Sequence, residues 1–193
     1  MASNPSLDDE VKRARFCAYL NGKYHSDREA FYDWWDRVTN FCVLATGAVA
    51  FSDVFGGAAQ KLGAAAIGLF ALAQLVFSLS LKAREHLQFK RQYFDIASKL
   101  EAGEIEPAQA HAQMTRISGD EAPIFMALHA VCENWAYSAV FGNDGPPRCR
   151  IGWLARITRN FWRHSSRDFR FDPGSARRET FFQYFFGWGR GVT

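Results

Sequence analysis

The sequence lacks nearly everything from which a catalytic centre is normally built. It has no G-x-S-x-G, no H-E-x-x-H, no P-loop and no glycine-rich dinucleotide turn. Serine-hydrolase, zinc-peptidase, nucleotide-hydrolysing and dinucleotide chemistry therefore have no recognisable seat. Its four cysteines (Cys17, Cys42, Cys132 and Cys149) show neither a C-x-x-C spacing nor a histidine neighbour at ligand distance, so no zinc site is read. The five histidines (His25, His86, His111, His129 and His164) are scattered, and a lone histidine on a helix face is usually a packing or surface residue. No catalytic residue, metal or cofactor is expected. There is also no repeat and no low-complexity segment. No signal peptide is expected, because the first forty residues are charged and aromatic without an apolar core followed by a cleavage site.

The absence with the widest consequence is that of charge. Residues 62–81 run for twenty positions without one charged side chain. At about 1.5 Å of rise per residue this makes roughly 30 Å of helix, the thickness of a bilayer's hydrocarbon core. Buried helices of soluble proteins rarely stay uncharged on every face for that length. A shorter apolar run, residues 41–55, carries Asp53 and joins the longer one through Gly56-Gly57. Together they predict a two-span helical hairpin over about residues 39–81. Ten basic residues flank it: Lys12, Arg13, Arg15, Lys23, Arg28 and Arg37 before, Lys82, Arg84, Lys90 and Arg91 after. The connecting turn holds only Lys61, so the positive-inside rule predicts cytoplasmic termini and an external turn. Cys17, Cys132 and Cys149 are then free thiols in a reducing compartment, with Cys42 in the membrane.

The rest of the chain reads as helix, making the fold class all-α: a two-helix transmembrane hairpin, a cytoplasmic helical bundle and a C-terminal basic amphipathic helix. Residues 1–142 form the first part, 143–147 a hinge of strong breaker chemistry, and 148–193 a tail. Ser6 to Asp9 has the form of a helix start, and Phe16, Leu20, Tyr24, Phe31, Trp35 and Val38 then recur at helical spacing. After the hairpin the helix is expected to continue unbroken to Gly103, with Phe89, Tyr93, Ile96 and Leu100 as its buried stripe and His86 above them. Pro107 opens a further helix with Ala110, Met114 and Ile117 inward. Pro123 opens another, with Ile124, Leu128, Val131 and Trp135 on one side, closed by Gly142.

Within the spans, Ala48, Ser52 and Gly56 fall every fourth residue, as do Ala64 and Gly68, and small residues at that spacing let helices approach closely. Gln74 and Ser78 form a polar pair four apart. These residues either meet another protomer, lining a pore, or close the hairpin within one chain. Asp53 reads as a solvated helix end or, alternatively, as one carboxylate of a ring at a pore mouth.

Charge is also divided along the chain. Residues 1–147 hold 13 basic and 17 acidic side chains; residues 148–193 hold 10 basic, all arginine, and 3 acidic. On a helix over 151–171, Arg156, Arg159, Arg163, Arg167 and Arg170 share one face, opposite Ile151, Leu154, Ile157 and Phe161. Lipid of anionic membrane surface is the first partner this pattern suggests, with packing on the bundle and RNA binding as alternatives. Arg159-x4-His164 has the spacing of an element in HEPN ribonucleases, but an arginine-dense segment produces such a match by chance. Residues 181–188 hold six aromatics, which enter a membrane interface or bury against a partner.

The F-x-A-x-L element (Phe16-Cys-Ala18-Tyr-Leu20), the hairpin, a charged helix beginning Ala83-Arg-Glu-His86 and a further helical pair resemble the SLATT group of bacterial two-transmembrane proteins over about residues 7–141. The resemblance implies a bacterial inner-membrane effector in antiphage defence, one that assembles as a homo-oligomer and breaches the membrane when a linked cytoplasmic sensor is triggered. It carries over no catalytic residue and does not cover the arginine-rich end. The alternatives are a non-conducting adaptor that recruits a cytoplasmic partner, and a membrane-tethered nucleic-acid-binding protein; nucleic acid is the partner expected least.

Overall fold

The computed structural model describes residues 5–50, 56–142, 149–164 and 170–171. The described residues are mostly helical, with two short strands among them, and the chain divides into two units, Met1–Pro123 and Ile124–Thr193.

The first unit contains α1 (Pro5–Ala50), α2 (Gly56–Phe77), α3 (Leu79–Ala102) and α4 (Pro107–Gly119). α1 begins on Pro5, whose missing N–H is no loss in a first turn, and Asp8 complements the positive end of the helix. The expected aromatic stripe is real in its first half: Phe16, Leu20 and Tyr24 are buried, together with Ala14, Cys17 and Ala18. Phe31, Trp35 and Val38 are only half-buried. α1 packs along α3 and α4, and the core between them is completed by Tyr93, Ile96, Ala97 and Leu100 of α3 and by Ala110 and Met114 of α4. Burial of side chains the size of Leu20 or Met114 contributes about 1.5–3 kcal/mol each, so this three-helix contact holds the unit together. Where α1 comes closest to α3, Gly22 lies against the Phe94 ring: a Cβ there would stand 3.2 Å from two ring carbons.

Helix ends follow the breaker residues. Gly103 adopts the left-handed conformation at φ 69°, donating to the Leu100 carbonyl, and Glu104 N donates to the Lys99 carbonyl at 2.9 Å. Pro107 stands at the first position of α4 as its sequence implies.

The continuous helix expected from the apolar run into α3 is interrupted. Ser78 is left-handed, at φ 48° and ψ 45°, and separates α2 from α3. The hydrogen-bond ladder bridges the break, with Ser78 N donating to the Gln74 carbonyl (2.9 Å) and Lys82 N to the Ser78 carbonyl (3.1 Å). The Ser78 hydroxyl donates to the Leu75 carbonyl at 3.2 Å, a local bond of the kind by which serine competes with helix. Such a conformation costs an L-residue about 1–2 kcal/mol, which the absence of Gly or Pro beyond it had hidden.

The second unit contains α5 (Met126–Phe141), β1 (Cys149–Arg150), α6 (Trp153–Thr158) and β2 (Arg170–Phe171). α5 begins after, not at, Pro123. Its buried residues are Ala127, Leu128, Ala130, Cys132, Glu133 and Ala136, whereas Trp135 is 41% exposed and Val131 half-buried. Of the large apolar face expected there, Leu128 alone is buried. The reason is that α5 contacts backbone. Ala127 and Ala130 pack on Cys149, and the Asn134 amide clamps that residue's main chain, donating to its carbonyl (2.9 Å) and accepting from its N–H (2.8 Å).

The long basic helix over 151–171 is not formed. α6 has six residues, after which the amides of Phe161 and Trp162 both turn back to the Thr158 carbonyl at 3.0 Å. β2 pairs antiparallel with β1, placing Arg170 opposite Arg150 and Phe171 opposite Cys149. Arginines repeated three and four apart repel one another along a helix face, and here the chain turns after one and a half turns of it. The hinge at 143–147 and the aromatic run at 181–188 lie outside the described residues.

Candidate functional site, an apolar hairpin and a buried polar cluster

α1 and α2 form a closely packed antiparallel pair, and one glycine permits it. A Cβ on Gly63 would stand 3.0 Å from both Ala50 N and Thr46 O, so α2 presses directly on the α1 backbone. Farther along, Ile67 Cδ1 lies 4.0 Å from the Cβ position of Gly47. The pair is then tied by Gln74, whose amide Nε2 donates to Asn40 Oδ1 (2.8 Å) and Thr39 Oγ1 (3.2 Å). Gly63, Ile67, Phe70 and Gln74 recur at four, three and four residues and make the inner face of α2.

The residues singled out from sequence are divided by this arrangement. Gln74 serves the pairing within the chain, and Ser78 bonds to the carbonyl three residues before it. Ala64 and Gly68 are exposed, with nothing within 4 Å of a Cβ on Gly68, so they lie off the α1 contact. Ala48 is exposed on α1. Gly56 opens α2, while Ser52 and Asp53 lie outside the described residues. The closing glycine is thus Gly63, one position from the recognised stripe; the helical phase of Gln74, eleven residues on, is the signal that points to it.

Among the described residues one helix, Gly57–Ala102 taken through Ser78, is long and apolar enough to cross a membrane, and only 6% of its apolar window is covered by the rest of the chain. Leu62, Leu69, Leu72, Leu75, Val76 and Phe77 are all exposed.

Between α1, α3 and the segment after α4 lies a cluster that the scattered histidines did not announce. His25 Nδ1 and His86 Nδ1 are 2.8 Å apart, although 61 residues separate them in sequence. His25 is 2% exposed, and its other ring nitrogen, Nε2, lies 3.2 Å from Glu121 Oε1. The Tyr93 hydroxyl donates to the same carboxylate oxygen at 2.5 Å. Aromatic rings flank the pair, of which His86 is half-buried: Tyr93 stacks on His25 with centroids 5.6 Å apart, and Tyr32 stacks on His86 at 5.5 Å. The buried Arg28 donates to the Tyr32 hydroxyl and lies over its ring, which Lys82 also approaches at 5.8 Å. His86 was placed correctly on the α3 stripe by periodicity; its partner, on a helix far away in sequence, was not visible.

Burial above all, and then the nearby His25 and Arg28, push His86 down to about 3. Burial works to raise the Glu121 carboxyl, but the adjacent His25 ring and the hydrogen bond from Tyr93 outweigh it and hold that group below the usual carboxylate range. Burial, reinforced by the Glu121 charge, raises the Tyr93 phenol. Two Nδ1 atoms at hydrogen-bond distance need one donor and one acceptor, so the pair holds one proton between its facing nitrogens. Among the described residues no group of three metal-ligand side chains occurs here.

A third surface belongs to the second unit. Trp153 and Trp162 are 75% and 68% exposed, and Leu154, Ile157 and Phe161 are exposed beside them. Arg156 and Arg163 are exposed and Arg159 half-buried; the Arg163 guanidinium stands 5.9 Å from the Phe125 ring. Arg167 lies outside the described residues, and Arg170 belongs to β2, so the five arginines do not share a helix face. The His164 of the ribonuclease-like spacing is bonded to Thr158 Oγ1 at 2.8 Å. No protein-family model, curated protein or solved structure matches this chain.

Proposed function

We propose that this chain is a membrane protein whose two-span hairpin self-associates and acts as an inner-membrane effector of pore-like kind. The observation that carries the reading is the uncovered surface of α2: an apolar window 6% covered by its own chain. In water so large an apolar surface is a liability, since exposed patches beyond a few hundred Å² mark membrane or protein contacts. In lipid it is the favoured state. The bond from Gln74 to Asn40 and Thr39 suits that setting, where polar contacts between helices supply on the order of 1 kcal/mol of pairing. The open side of Gly68, beside the exposed Ala64, offers a second close approach to another copy. Indole and arginine side chains on α6 fit the anionic face of the same bilayer. The resemblance to SLATT proteins supports the antiphage role and a sensor acting on the cytoplasmic helices. One observation favours a non-conducting adaptor instead: Gln74 is turned to α1 and gives no polar lining to a channel.

Two measurements test this. Gly68→Leu is expected to leave insertion intact, because Leu is favourable in a span, and to abolish oligomers and dye influx on expression, because its side chain fills the space a neighbouring backbone needs. A wild type that stays monomeric under activating conditions, or equal permeabilisation by the variant, transfers the reading to the adaptor. For topology, Gln60→Cys is expected to react with an impermeant thiol reagent in intact cells. Its protection, with labelling of a residue in 143–147, reverses the orientation.

A further inference from the structure

The geometry points to a second property, independent of whether the hairpin conducts: the His25–His86 pair is a proton-binding site whose second proton separates α1 from α3. The two Nδ1 atoms face each other at 2.8 Å, a distance that requires one N–H and one bare nitrogen. When both facing nitrogens carry protons, two N–H groups meet where one hydrogen bond stood, and the pair has gained a positive charge. Tyr93 is stacked on His25 and Tyr32 on His86, so each ring is held against a neighbour while the helices stay packed. Relief comes from separating the helices that carry them.

The surroundings leave the second proton little compensation. Facing the pair from α1 are Arg28 and Tyr32, with Glu29 already paired to Lys90 of α3 at 3.0 Å. From α3 come Lys82 and Tyr93, and from the segment after α4 comes Glu121. Among the described residues Glu121 is the carboxylate that touches the pair, and it stands on the far nitrogen of His25, away from His86. Arg28 and Lys82, both cationic, lie on the His86 side, where they share the Tyr32 ring. Charge therefore favours a single proton in the packed state and a second when α1 and α3 part and the half-buried His86 becomes fully hydrated.

The sign follows from His86, whose value in the packed state lies at about 3 against an ordinary 6.5. Above pH 6.5 neither state takes up the proton, and packing is unaffected. As pH falls below 6.5 the separated state binds a proton that the packed state refuses, so separation gains on packing until about pH 3. Between pH 7.5 and 5.5 the equilibrium shifts about tenfold toward separation. Acidification is the trigger, and α1 and α3 lead directly into the hairpin.

The test uses the full chain in lipid nanodiscs, with spin labels attached through non-natural amino acids at the exposed positions Ala30 and Gln88. A single distance is expected at pH 7.5, and a longer population is expected to grow between pH 6.5 and 5. His86→Asn, which keeps an acceptor near the Nδ1 position but does not titrate, is expected to retain the short distance at both pH values. A wild-type distance that does not change between pH 7.5 and 5, or a His86→Asn variant that lengthens as the wild type does, overturns the inference. Imidazole ¹⁵N shifts of the wild type give a readout that needs no variant. His86 is expected to be doubly protonated in the longer population, and a neutral His86 there equally overturns it. Dye influx plays no part in these readouts, so failure of the pore reading leaves this result unaffected.

Discussion

Gly63→Leu is expected to spring the hairpin open, whereas the same change five residues away at Gly68 leaves it closed. The Cβ alone would meet Ala50 N and Thr46 O at 3.0 Å, and these are backbone atoms of a helix, which cannot swing aside as a side-chain tip does. α1 and α2 must therefore separate or slide, and either movement also breaks the bonds from Gln74 to Asn40 and Thr39. Overpacking of this kind costs about 1–3 kcal/mol, and rigid neighbours on both sides put it at the upper end. About 3 kcal/mol corresponds to a shift of more than a hundredfold in the closing equilibrium. Crosslinking of Gly47→Cys to Ile67→Cys by a short bifunctional thiol reagent reads the closed state, since these positions face one another across the pair. Crosslinking by the Gly63→Leu protein equal to that of its parent would sink this account of the packing. Gly68→Leu is the internal control, because nothing lies within 4 Å of its Cβ position.

The second large effect is expected from Glu121→Ala. Its carboxylate accepts from the Tyr93 hydroxyl and stands 3.2 Å from His25 Nε2, both in a buried setting. Removing it leaves the Tyr93 hydroxyl without this acceptor and takes away the negative charge beside His25. The loss of stability is expected to be about 3–5 kcal/mol, the scale on which breaking a buried charged network destabilises. Tyr93→Phe deletes one bond and is expected to cost about 1 kcal/mol. The pH dependence carries the same signature. Because the Glu121 carboxyl is held below its ordinary value of 4.5, its contribution is fully present above that pH and is lost as pH falls through the lowered value. That acid limb is expected to vanish in Glu121→Ala, while the loss that begins below pH 6.5 through His86 remains. Urea unfolding of the detergent-solubilised protein across pH 2–8 measures both. An unchanged midpoint in Glu121→Ala at pH 7 would mean that the cluster does not hold α1, α3 and the segment after α4 together.

Chain sequence by itself determined the helical class, the apolar run of α2 and the helix ends at Gly103 and Pro107. These are local matters: side-chain polarity over twenty residues, a glycine free to turn left-handed, a proline without an N–H. It also placed Tyr93, Ile96, Leu100 and His86 on one side of α3, since helical periodicity needs no knowledge of the partner. Only the tertiary structure decided which small residue closes the hairpin, because Gly63 and Gly68 are equally small and differ only in the direction they face. Periodicity alone likewise could not find the α5 face built of alanines, where a clamped backbone rather than large side chains is the neighbour. The basic helix failed for a related reason. A wheel drawn over 151–171 assumes a helix, and turn bonds to Thr158 with a strand pairing between residues 150 and 170 took its place. The polar cluster lay furthest from sequence reading: His25, His86 and Glu121 come from three segments and share no spacing. They acquire chemistry only because the packing of α1 on α3 brings two ring nitrogens within 2.8 Å, where a proton has to be shared.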